Sequence, residues 1–174
     1  RTKNGISQWL SSLRKGKTVH DDFAQKLRTQ FLMSGKSMVD WEKEFQLNIP
    51  QDLDPARCRE LLRTVLALFE RITFLKAHSD CVVIALEEGL NSQYNGRYTA
   101  LIQEYRDSAG KLPAASTLEA MAKSEVQGIT TAKACGEIAS QFWEEIQDYL
   151  SHSRKILENA IIAASIEAKL QPHS

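Results

Sequence analysis

Cysteine, proline and glycine are all scarce in this 174-residue chain, at three, four and eight copies. The three cysteines, Cys58, Cys81 and Cys135, are odd in number and widely spaced. They make no disulfide framework and point to free thiols in a reducing compartment, so the expected location is the cytoplasm, that of the host for a viral chain. Few glycines and prolines beside 43% hydrophobic residues exclude collagen-like, low-complexity and disordered classes. Long apolar runs are missing as well. The longest, 82–86 and 160–164, fall far short of the roughly 20 residues that cross a bilayer, so no membrane partner is expected, and no signal-peptide pattern is present. Net charge is absent too, with 22 basic against 22 acidic residues, which removes any global attraction to nucleic acid or anionic lipid. Catalytic motifs are also lacking: no glycine-rich phosphate loop, no Gly-x-Ser-x-Gly elbow, no His-Glu-x-x-His and no Cys-x-x-Cys. The chain is therefore expected to be no enzyme and to carry no cofactor or metal.

What is present is helical periodicity. Asp54-Pro55 is a helix start, the carboxylate serving orphan amides and proline sitting where its missing N–H is harmless. From there Leu61, Val65, Leu68, Ile72, Leu75, Ser79, Val82 and Leu86 recur at steps of four and three. Gly89 is the expected stop, giving a helix of about 35 residues. A second seam runs through Cys135, Ala139, Phe142, Ile146, Tyr149, Ser153, Ile156, Ala160 and Ala163. This predicts a helix of about 40 residues from Thr130 or Thr131 to the proline at 172. Two such seams are buried most simply against each other, as an antiparallel pair.

Shorter helices are expected at 92–108 and 116–125, the latter with a capping box of Ser116 and Glu119. Others are expected at 6–13, 21–33 and 38–45, broken at Gly16 and Gly35. No strand is expected. The predicted fold is all-α: a helical-bundle core over 51–174, preceded by a basic helical arm over 1–50, with the linker at 50–55. Residues 1–36 hold eight basic and two acidic residues, which suits a basic arm that touches an acidic partner or another copy of the chain.

Three groups of residues bear on function. Arg97, Tyr98 and Arg106, with Tyr94 and Tyr105 nearby, combine stacking rings with phosphate donors, the chemistry of single-stranded nucleic-acid binding. The plain alternative is an ordinary helical stripe of Tyr98, Leu101, Ile102 and Tyr105. Arg14, Lys15 and Lys17, beside Trp9, form a second candidate, whose alternative is a solvated turn. Trp9, Phe23 and Phe31 on the amphipathic N-terminal helices are candidate anchors for a homo-oligomer, or caps on the end of their own bundle. His78 and Cys81 share a helix face but lack a third ligand. Cys58 lacks a base, and the pairs Glu87-Glu88 and Glu144-Glu145 diverge around their helices.

A first long helix, the segment 94–106 with its tyrosines and arginines, a polar connection, Lys123-Ser124-Glu125, and a long helix with Trp143 and Arg154-Lys155 follow in that order. Over residues 54–170 this order resembles the phage recombination mediators of the UvsY type. The resemblance implies a small helical protein that assembles into rings, binds single-stranded DNA and helps to load a recombinase. It implies DNA-binding roles for Arg97, Tyr98, Arg106, Arg154 and Lys155. The competing expectation is a structural adaptor or scaffold that oligomerises through helical contacts.

Overall fold

The computed structural model describes residues 21–49, 54–108 and 110–170, and within the first helix it leaves the side chains at 21–24 and 26 undescribed. The elements in order are α1 (Asp21–Gln30), β1 (Leu32–Met33), β2 (Lys36–Ser37), α2 (Met38–Glu44), α3 (Pro55–Asp107), α4 (Ala115–Glu125) and α5 (Gln127–Leu170). The expected all-α class holds, and α3 and α5 pack against each other. The helix expected over 6–13 and most of the 50–55 linker lie outside the described residues.

Four local expectations are corrected. The helix from 21 ends at Gln30, and a two-stranded antiparallel hairpin follows, pairing Leu32 with Ser37 and Met33 with Lys36. Ser34 and Gly35 both have positive φ, 51° and 80°, the backbone that a two-residue hairpin turn requires. Ser37 then caps α2, its hydroxyl accepting from the Asp40 amide at 3.2 Å. Second, Gly89 does not stop α3, which continues to Asp107. A glycine stop needs a left-handed backbone, and Gly89 does not adopt one. Apolar residues beyond it, through Tyr94, Tyr98 and Leu101, keep the helix packed. Third, α4 begins at Ala115, and its N-cap, Ala114, makes no side-chain bond. The Ala114 carbonyl accepts from Thr117 and Leu118, so Ser116 and Glu119 already lie inside the helix and form no capping box. Fourth, α5 starts at Gln127, separated from α4 by Val126 alone; the Ile129 and Thr130 amides already donate to the Val126 carbonyl, so Thr130 lies inside the helix with its hydroxyl turned back onto that carbonyl.

The described chain forms two compact units: residues up to Leu75 together with those from Gln141 onward, and Lys76–Ser140. In the first, Cys58, Val65 and Ile72 are fully buried on α3, one heptad apart, and Trp143, Leu150 and Leu157 are buried on α5. Trp41 stands edge-on to Trp143 at 5.2 Å and donates to the Met33 carbonyl at 2.9 Å. Phe45 also meets Trp143, and the Leu47 amide donates to the Tyr149 hydroxyl at 3.3 Å. Met33, Met38, Trp41, Phe45 and Leu47 therefore belong to this unit's core.

In the second unit, Leu101 on α3 packs with Leu118 and Ala122 on α4. Here α3 and α5 are joined by Ser140, which donates to Asp80, and by Lys133, which meets Glu87 at 3.1 Å. These contacts are one heptad apart on both helices and run in opposite directions, the antiparallel sense expected. The seams themselves drift. Val82 and Ile156 are exposed, whereas Leu157 is fully buried and Val83 is half-buried. A straight helix rotates about 20° per heptad relative to a seven-residue repeat, which carries a strict seam toward its rim.

Candidate nucleic-acid interface

Arg97, Tyr98 and Arg106 all lie on the last third of α3. Tyr94 and Tyr98 are one helical turn apart, their rings stacked with centroids 6.3 Å apart. Both rings, with Tyr105, lie half-buried against the Leu101, Leu118 and Ala122 cluster. A Cβ added at Gly110 would lie 3.9 Å from the Tyr105 ring.

Arg97 is held from two sides. Its Nη1 meets Glu104 at 2.7 Å, two turns further along α3, and its Nε donates to Glu125 at the end of α4. Glu125 first, then Glu104, hold the guanidinium proton even more firmly than usual. The ion pair ties the end of α4 to α3, and it compensates the charge that a phosphate would otherwise meet. Arg106 differs: it is exposed and makes no ion pair among the described residues.

Arg14, Lys15, Lys17 and Trp9 lie outside the described residues. Phe23 is in α1, with its side chain undescribed, and Phe31 just after α1 is half-buried. Arg154 pairs with Glu158 at 2.7 Å on its own helix, and Lys155 is exposed. His78 and Cys81 are exposed on α3, and among the described residues no group of three His, Cys, Asp or Glu side chains is placed to hold a metal. No helix among the described residues is long and apolar enough to cross a membrane.

The two carboxylates that engage Arg97 differ in how far the sequence marks them. Glu104 was legible in principle, because seven residues place two side chains on one helix face. Glu125 lies on another helix and carries no such signal. Also unanticipated is the cluster in which Lys36 and Arg71 flank Trp41, at 4.6 and 5.5 Å from its ring centroid, and both reach Glu44. Lys36 first, then Arg71, hold the Glu44 carboxyl below its ordinary range. No protein-family model, curated protein or solved structure matches the chain.

Proposed function

We propose that this protein is a non-enzymatic assembly adaptor or scaffold that works through helix-to-helix contacts, including contacts between its own copies, in a reducing cytoplasm. The observation that carries this reading is the state of Arg97 and its neighbouring tyrosines. The arginine's charge is shared between Glu104 and Glu125, and the rings contribute to the packing of α3 on α4. A stacking platform for bases needs ring faces and unneutralised positive charge together. Here the rings are half-buried and the cation is paired. Three free thiols support the compartment.

One observation favours a second reading, a recombination-mediator role in which single-stranded nucleic acid is bound. Arg106 is exposed and free of ion pairs among the described residues, next to Tyr105 on the same helix. Retention of labelled single strands by nuclease-treated protein, titrated with salt, separates the two readings. The adaptor reading expects no retention at low salt. Retention that falls with salt by a slope of about 0.7 per neutralised phosphate, and that flattens in Arg106→Ala, overturns it in favour of the second.

A further inference from the structure

The unit that ends α3 at Leu75 and takes up α5 at Gln141 has an open face of its own. On α3, Phe74 is 73% exposed and Leu66 43%, and at about 100° per residue both turn away from the buried Val65 and Ile72. Gln147 on α5 donates to the Thr73 hydroxyl at 3.3 Å, which joins the two helices beside Phe74. Glu70 lies one turn from Thr73, Glu144 lies one turn from Gln147, and Asp148 follows Gln147 directly. These three carboxylates are exposed, and none makes an ion pair among the described residues. Phe74 is thus an exposed ring among unneutralised carboxylates, within one unit. Toward the start of α3 the same face turns basic, with Arg59 and Arg63 on α3 and Lys155 on α5 exposed and likewise unpaired.

We infer that Phe74 and its carboxylates receive the basic N-terminal arm of a second copy. The inference rests on the self-association in the adaptor reading and names the two surfaces that meet. Charge selects the occupant. Residues 1–20 lie outside the described residues, but their chemistry is fixed by the sequence: Arg1, Lys3, Arg14, Lys15 and Lys17 with no Asp or Glu, and Ile6, Trp9, Leu10 and Leu13 at the spacing of one helical face. An apolar stripe flanked only by cations is the complement of an exposed ring flanked only by carboxylates. The same arm is repelled from Arg59, Arg63 and Lys155, which fixes the contact at the Phe74 end. Nucleic acid and anionic lipid do not fit there, because their phosphates would meet the three carboxylates. Where the arm begins selects a second copy over the arm's own. It joins the chain at α1, which lies against α2 and β2 and is tied to α2 by the ion pair of Arg28 and Glu42. Helix α2 packs through Trp41 on Trp143, on the side of α5 turned away from Asp148. The root of the arm and the receiving face therefore lie on opposite sides of the unit. That is the arrangement of a head-to-tail contact, in which each copy gives one arm and accepts one.

The test is the mass of the full chain by sedimentation equilibrium. The wild type is expected to associate as concentration rises and to come apart as salt is added. Trp9→Asp removes the donor and Phe74→Asp the acceptor. Each should raise the dissociation constant at least about thirtyfold, as loss of an aromatic anchor does, and leave monomer where the wild type is assembled. Mixed in equal amounts, the two variants should form a one-to-one complex and nothing larger, because Trp9→Asp keeps its acceptor and Phe74→Asp keeps its arm. Neither misfolding nor an arm bound to its own copy mimics that rescue. If either variant keeps the wild-type mass, or if the mixture stays monomeric, the inference falls and the adaptor reading stands. If the wild type is monomeric at every concentration, the inference falls together with the self-association in that reading.

Discussion

Gly136 on α5 faces Val83 on α3 so closely that a Cβ at position 136 would lie 2.9 Å from Val83 Cγ2. Real carbon pairs do not approach that far, and valine in a helix has one strongly preferred rotamer into which it can settle. Gly136→Ala gains about 1 kcal/mol of helix propensity and meets an overpacking cost of about 1–3 kcal/mol. The expected net result is a loss of about 1 kcal/mol in urea denaturation, recovered in part by Val83→Ala in the same chain. A Gly136→Ala protein more stable than the wild type shows that the helices part without cost.

Ile72 and Leu68 both belong to the expected seam, yet Ile72 is fully buried and Leu68 is half-buried. Ile72→Ala is expected to cost about 2–5 kcal/mol, the range for a large buried aliphatic. Leu68→Ala should cost about 1–2 kcal/mol, since less apolar area leaves water there. Equal losses at the two positions refute the observed rotation of the seam.

The Tyr149 hydroxyl accepts the Leu47 amide where both residues are buried. Tyr149→Phe keeps the ring and strands a buried backbone donor, a change worth about 1–3 kcal/mol. Amide exchange at Leu47 is the direct readout, and it should accelerate well beyond that of neighbouring amides.

Acid should destabilise the protein through carboxylates held below their ordinary range. The Ser140 hydroxyl, and then Lys76 at 2.9 Å, hold the Asp80 carboxyl low; Lys36 and Arg71 do the same for Glu44. A carboxyl whose folded pKa is depressed contributes stability above its unfolded pKa of about 4, and loses it as pH falls through the lower, folded value. Urea midpoints measured from pH 7 downward should therefore drop below about pH 4. Asp80→Asn and Glu44→Gln should each make that drop shallower; profiles that stay parallel to the wild type refute the assignment.

The long-range pairing of α3 with α5, and the start of α3 at Asp54-Pro55, were legible because both follow from local chemistry repeated along the chain. Asp54 accepts from the Arg57 amide at the helix start as expected. What was not legible turns on competition. Gly89 has every local mark of a stop, but packing beyond it at Leu101 outweighs the penalty of about 1 kcal/mol for glycine within a helix. Ser116 and Glu119 have capping-box spacing, yet the helix starts ahead of them. At the candidate site Arg97 and Tyr98 are neighbours in the sequence itself. Its two carboxylate partners set what the arginine is free to do, and one of them, Glu125, comes from a separate helix. Likewise Trp41 and Trp143, 102 positions apart, carry no local pattern that joins them.

The aromatic side chains are divided between the two units in a way that spectroscopy can read. The three tryptophans, at 9, 41 and 143, all lie outside 76–140, whereas Tyr94, Tyr98 and Tyr105 lie within it. Indole emission, to which the edge-to-face pair of Trp41 and Trp143 contributes, is therefore blind to the Lys76–Ser140 unit, and tyrosine absorbance is weighted toward it. Cooperative unfolding makes the indole, phenol and far-ultraviolet transitions coincide. Separate midpoints would resolve each unit's own stability from a single titration, with no engineered label.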